Sequence, residues 1–186
     1  MRVALLLVFC VLCRFVVADD SVRICYGYGC LVETDVNVTE VQLKLVAQKL
    51  SVAVDAADER KILSSVMGLL YGWGGEKSPI HNDRGGNYAD EGVSGSMDCI
   101  DHSTTSTRFL NLLERRGMLR WHRVLPPDVR RTFYVFEHYA AVIEERFLVL
   151  DAEPRRFVVD SWFVDNGKPA VILPLEEWKN GAGPDV

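Results

Sequence analysis

Residues 133–164 read FYVFEHYAAVIEERFLVLDAEPRRFVVDSWFV. Runs of aromatic and β-branched residues, punctuated by the turn signal Asp151-Ala152-Glu153-Pro154, predict strands in FYVFEHYAAVI, RFLVLD and RRFVVDSWFV. A last short strand follows over 170–173, then a helical turn over 174–179 and the tail NGAGPDV. Upstream, the periodicity changes from two to nearly four. Ile62, Val66, Leu69, Leu70 and Trp73 form one stripe of a helix over 55–73, with Asp55 able to cap it. A second helix is predicted over 97–116. Asp98 stands at its N-cap, Asp101 in its first turn, and Ile100, Leu110 and Leu113 on its apolar face, which Phe109 and Leu112 widen. Gly117 ends it after Arg115 and Arg116. Helices first and antiparallel strands after define an α+β protein, with N-terminal helices packed on a C-terminal sheet.

The rest of the chain is less regular. Residues 1–18 carry Arg2, a mostly apolar run and a Val16-Val17-Ala18 ending, which reads as a secretory signal peptide cut after Ala18. Arg14 interrupts the run, and a span needs roughly 20 apolar residues, so no stable membrane span is expected after processing. Residues 19–186 then suit one domain with its own core. Residues 19–35 read as a loop-rich segment. Residues 36–50 stay ambiguous: Val41, Leu43 and Leu45 alternate like a strand, whereas Val41, Leu45 and Gln48 keep helical spacing. Residues 74–96 form a glycine-rich loop. Its oxygen donors Asp83, Asn87, Asp90 and Glu91 lack EF-hand spacing, so it is read as solvated chain lining a cleft. The arginines between Arg115 and Arg131 read as a solvated basic surface of an acidic chain, whose net charge is −5. No zinc-finger spacing or glycine-aromatic RNA motif is present, so nucleic acid is not an expected partner.

Removal of the leader would leave three of the five cysteines: Cys25, Cys30 and Cys99. Cys25 and Cys30 bracket Tyr26-Gly27-Tyr28-Gly29, a loop flexible enough to close, and export to an oxidising compartment would bridge them. Cys99 is left over in GSMDCIDHST, residues 95–104. It falls in the first turn of the second helix, where the helix dipole favours a thiolate. Asp98 and Asp101 oppose that by raising a thiol pKa, so a nucleophilic Cys99 needs a histidine partner.

Of the four histidines, His138 is the best placed, because a strand holds it rigidly. Asp160 is a carboxylate inside an apolar run, and such a group is rarely buried without a partner. His138 and Asp160 are symmetric about residue 149. If their strands pair as one hairpin, they lie opposite each other, roughly 5 Å apart at Cβ. If RFLVLD intervenes as a full strand, they lie roughly 9.6 Å apart and the pair fails.

A cysteine opening a helix, then His-x-Ala on a strand, then Val-Asp-Ser-Trp on the next, resembles the papain-like cysteine superfamily, and within it the transglutaminase-like proteins. The resemblance covers roughly residues 85–165. More loosely, GSMDCIDHST, RWHRV and VVDSWF look like a group of exported bacterial proteins of unassigned function. The resemblance implies Cys99 as nucleophile, His138 as general base and Asp160 as its orienter. The glutamine that papain-like peptidases place shortly before the cysteine is missing from residues 92–96. Oxyanion contacts would fall to the Cys99 backbone N–H with Asn87 or Tyr88.

The expected function is therefore acyl transfer on an amide, by hydrolysis or transamidation, in an exported, periplasmic or extracellular protein. The expected partner is a peptide or protein substrate, such as a cell-envelope peptide. No cofactor or metal is expected. A catalytically inactive binding module on the same fold is the alternative. A metal site from Cys99, His102 and Asp98 or Asp101 is a weaker one, because no second ligand pair follows at zinc spacing.

Overall fold

A computed structural model describes residues 19–86, 88–132, 136–146 and 153–185. The leader expected over 1–18 lies outside these residues. The elements run β1 (Asp20–Tyr26), β2 (Val32–Val38), α1 (Glu40–Ser51), α2 (Ala56–Gly75), a 3-10 turn (Pro79–Asn82), α3 (Cys99–Arg115), β3 (His122–Thr132), β4 (Phe136–Glu145), β5 (Arg156–Asp160), β6 (Val171–Pro174) and α4 (Leu175–Lys179). β1 and β2 form a hairpin, and β3-β4-β5-β6 form an antiparallel sheet in that order. The chain is thus α+β, as expected. Among the described residues no helix is long and apolar enough to cross a membrane.

Two expectations are corrected and one ambiguity is resolved. The segment expected to be a loop over 19–35 is largely a hairpin. Val22, Ile24, Val36 and Val38 are buried, while Arg23, Asp35 and Asn37 alternate with them on the wet face. The basic stretch before Arg131 contains an edge strand, β3. Its Pro126-Pro127 pair hides the strand pattern and sits at a bulge between Leu125 and Asp128, where missing N–H groups are tolerated. The ambiguous segment divides at Thr39, whose side chain and that of Gln42 make a reciprocal capping box for α1. The buried face of α1 is Leu43, Val46 and Leu50, so Val41 and Leu45 point to solvent.

The long helices begin as expected, with Asp55 capping α2 and Asp98 capping α3, but Ile100, expected on the apolar face of α3, is exposed in its first turn. Both faces of the sheet are covered. Ala141, Ile143, Phe157 and Val159 join the main core with α2 and α3, while Ala140, Val142 and Val158 pack on Leu175 and Trp178 of α4. Burial on two faces is why these strands read as nearly continuous apolar runs. At one end of the sheet, Glu144 of β4 accepts from Arg123 of β3 and Arg156 of β5, which pins three strands in register.

Glu59 ties α2 to the sheet. It is fully buried and accepts from the backbone N–H of Arg120 and Trp121 and from His122 Nδ1 at 2.8 Å. The other ring nitrogen, His122 Nε2, lies 3.1 Å from Arg60, which bonds Glu145 at 2.5 Å. Replacing Glu59 by alanine strands three donors, the fully buried His122 among them. We expect Glu59→Ala to cost about 3–5 kcal/mol in urea unfolding. Val41→Ala, on the exposed side of α1, should stay within about 0.5 kcal/mol of wild type.

Candidate active site

The site is assembled at the N-terminus of α3. Gly95 prepares the approach: its φ is +88°, and a Cβ there would lie 1.9 Å from the Pro79 carbonyl oxygen, so only glycine fits. Asp98 then caps the helix, accepting from Asp101 N–H, and Asp101 accepts in return from Asp98 N–H. Cys99 is the first helical residue and is partly exposed. Its sulfur lies against β4, donating to the Glu137 carbonyl at 3.9 Å.

His138 and Asp160 come together. His138 Nε2 lies 2.7 Å from Asp160 Oδ2. β4 and β5 are direct neighbours, as the hairpin reading required, but the register is two residues off the expected one. Ala141 pairs with Val159, so the same ladder sets Asp160 level with Ala140 and diagonal to His138. Small Ala140 leaves room for the reach.

Asp160 is buried and fully engaged. Its Oδ2 also accepts from Trp178 Nε1 at 3.0 Å, and Oδ1 accepts from Trp162 N–H at 3.2 Å. The imidazole is boxed by Trp162, Phe163 and Trp178, with ring centroids 4.9, 5.6 and 5.7 Å away. Asp160 thus sets the ring's orientation through Nε2.

Cys99 and His138 line one cavity of about 650 Å³, together with Tyr88, Arg130, Thr132, Phe136, Glu137 and Trp162. Tyr88 and Phe136 are 77% and 71% exposed, and Tyr88 packs on Trp162 at 4.7 Å. The charged groups are already used. Glu137 is held by Arg131 and Tyr139, while Arg130 donates to the carbonyls of Trp178 and Ala182. Of the two suggested oxyanion residues, Tyr88 lines the cavity and Asn87 lies outside the described residues.

The environment of the sulfur differs from the expectation that the helix start favours a thiolate. Burial pushes the Cys99 thiol up, and the charges of Asp98 and Asp160 push the same way. The N–H groups of Tyr139 and of Cys99 itself oppose them but do not prevail.

The suggested metal set does not converge. His102 is buried, with Nδ1 2.9 Å from Ser161 Oγ and Nε2 3.0 Å from Asp83. Ser161 also bonds Ser106 and Tyr71, so this is an internal polar cluster joining α2, α3 and the end of β5. Among the described residues, the one grouping with metal-like spacing is Cys25, Cys30 and Asp101. Its two sulfurs are joined in the Cys25–Cys30 disulfide, the pairing the sequence suggested.

Sequence reasoning missed Trp178, Phe136 and Arg130. Trp178 sits in a five-residue helix whose role depends on packing. Phe136 and Arg130 face the site because of the β3–β4 register, where Arg130 pairs with His138. Comparison of the chain with family models, curated proteins and solved structures gave no match.

A thiol pushed upward holds less thiolate at every pH below its midpoint. We expect iodoacetamide to alkylate Cys99 with a midpoint above the ordinary cysteine value of about 8.5. At pH 7 the rate should fall below that of an unstructured cysteine peptide. Mass mapping across pH 6 to 10 measures both.

Proposed function

We propose that this chain is a cysteine-nucleophile acyl-transfer protein acting on amide bonds, with a transglutaminase-like arrangement of Cys99, His138 and Asp160. The observation that carries the reading is the 2.7 Å His138–Asp160 pair on the wall of the cavity that Cys99 also lines. A solvent-reachable histidine with a buried carboxylate on one nitrogen and a thiol in the same cleft is what general-base activation of a nucleophile needs.

The upward-pushed thiol selects among variants of that chemistry. Cys99 rests as a neutral thiol, so His138 Nδ1 takes its proton as sulfur attacks the substrate carbonyl. The oxyanion forms near the Cys99 N–H at the helix start, with Tyr88 on the same wall. Collapse breaks the carbon–nitrogen bond, His138 returns the proton to the leaving amine, and a thioester remains on Cys99. Water gives hydrolysis and a second amine gives transamidation, each losing its proton to His138.

The substrate class follows from the walls. Aromatic faces of Tyr88, Phe136 and Trp162 dominate, and the charged groups are engaged by the protein itself. A peptide with a large uncharged side chain beside the reacting carbonyl fits such a cleft. The Cys25–Cys30 disulfide agrees with an oxidising, exported setting, where envelope or secreted peptides are within reach.

One observation favours the second reading, a binding module that captures apolar peptides without reaction: the burial that disfavours the thiolate. The two readings separate in one assay. Peptide amides carrying Phe, Lys or Glu next to the scissile bond are incubated with the protein, and products are followed by mass spectrometry. Acyl transfer predicts turnover of the Phe peptide, loss of signal in Cys99→Ala, and about a 10²–10⁴-fold lower rate in His138→Ala. Phe136→Ser, at an exposed position, should raise KM for the Phe peptide about tenfold with kcat kept, by removing apolar contact. Saturable peptide binding with no turnover would establish the binding module instead.

A further inference from the structure

We infer that the Cys25–Cys30 loop is a positioning element of the Cys99 site, and that breaking its disulfide disables that site. The inference rests on the acyl-transfer reading only for its consequence in activity; the geometry stands independently.

The loop has an uncommon backbone. Gly27, Tyr28, Gly29 and Cys30 have φ of 84°, 67°, 65° and 58°, four left-handed residues in succession. Two of them are not glycine, and side chains disfavour that region. Such a run turns consecutive N–H groups toward a common anion. Here the anions are the two acids that flank Cys99. Tyr28 N–H donates to Asp101 Oδ2 at 2.8 Å, Cys30 N–H to Asp101 Oδ1 at 2.6 Å, and Gly29 N–H to Asp98 Oδ2 at 3.0 Å. Both carboxylates also bond within the helix cap.

The loop therefore performs two tasks. It supplies one donor, Gly29 N–H, to Asp98, whose charge pushes the neighbouring thiol up. It also holds the first turn of α3 against the hairpin, helped by Cys25 N–H donating to Thr105 Oγ1 at 2.9 Å. A second arm reaches the cleft. Tyr28 Oη donates to Asp90 at 2.5 Å, and Gly27 N–H donates to the Ser96 carbonyl at 2.8 Å. These bonds brace the ends of a segment just past Tyr88, which forms a cleft wall. Among the described residues, the other titratable groups about the sulfur are Asp160 of β5, Glu137, His138 and Tyr139 of β4, and Arg130 of β3 and Tyr88 on the cavity wall.

The disulfide closes this turn across five residues of sequence. A dithiol reductant would transfer two electrons and two protons to it. The Cys25–Cys30 bond breaks, two thiols form, and the reductant becomes its own disulfide, with Cys99 unchanged. Without that closure, two non-glycine residues are free to leave the left-handed region, and the N–H groups leave Asp98 and Asp101.

The test compares the oxidised full chain after leader removal with Cys25→Ser/Cys30→Ser, following Cys99 alkylation against pH by mass mapping. The midpoint reports electrostatics, whereas the high-pH plateau reports access. We expect the midpoint to rise by about one unit, a tenfold lower thiolate fraction at neutral pH. Adding Asp98→Asn, which keeps a good N-cap, should return it toward wild type. An unchanged midpoint in a folded double variant overturns the inference. A shifted midpoint with no peptide turnover in wild type would overturn the acyl-transfer reading and leave the loop's role standing. If the double variant fails to fold by circular dichroism, Tyr28→Phe decides. It keeps the disulfide and removes only the bond to Asp90. The rate of N-benzyl iodoacetamide relative to iodoacetamide at Cys99 should fall several-fold, and an unchanged ratio overturns the inference.

Discussion

A carboxylate taken out of water must be met by donors, or the fold loses several kcal/mol for each one. Among the buried acids of the described residues, Glu59, Asp101 and Asp160 meet that condition by joining elements far apart in the chain. Glu59 gathers two backbone N–H groups and His122, which locks α2 to the start of β3. Asp101 gathers two N–H groups of the hairpin loop, which locks β1–β2 to α3. Asp160 gathers His138, Trp178 and the Trp162 N–H, which locks β5 to β4 and α4. The apolar core presses these elements together without direction. The acids specify which groups must meet.

The last two acids also shape the candidate site. Asp160 holds His138 by one nitrogen inside a box of aromatic rings, and His138 lines the same largely apolar cleft as Cys99. The acids beside Cys99 would by themselves work against a nucleophile. In the fold they are drawn into a helix cap and a disulfide-closed loop. A neighbour that reads as unfavourable along the chain thus becomes part of the scaffold that places the sulfur.

Much of the framework could be read along the chain, and the reasons are local. The start of α3 was legible from Asp98 and Asp101, because a cap is made by residues three apart. β4 and β5 were legible because burial on both faces leaves a dense run of branched and aromatic residues. The Cys25–Cys30 pairing was legible because a short glycine loop separates the two thiols. β3 was not, since an edge strand tolerates two prolines and several arginines that erase its pattern. The hairpin was not, since its wet face carries Arg23, Glu33, Asp35 and Asn37.

What the sequence by itself determined is the chemistry available: a cysteine at a helix start, a histidine and an acid within strand-forming runs, a short disulfide, and an α+β order of elements. What only the tertiary structure decided is how these groups meet. The diagonal offset of His138 and Asp160 depends on strand register. The engagement of Asp98 and Asp101 by Tyr28, Gly29 and Cys30 joins positions about seventy residues apart. The recruitment of Trp178 needs α4 to fold back onto β5. Local periodicity carries no information on contacts of that range, because they are set by packing across elements.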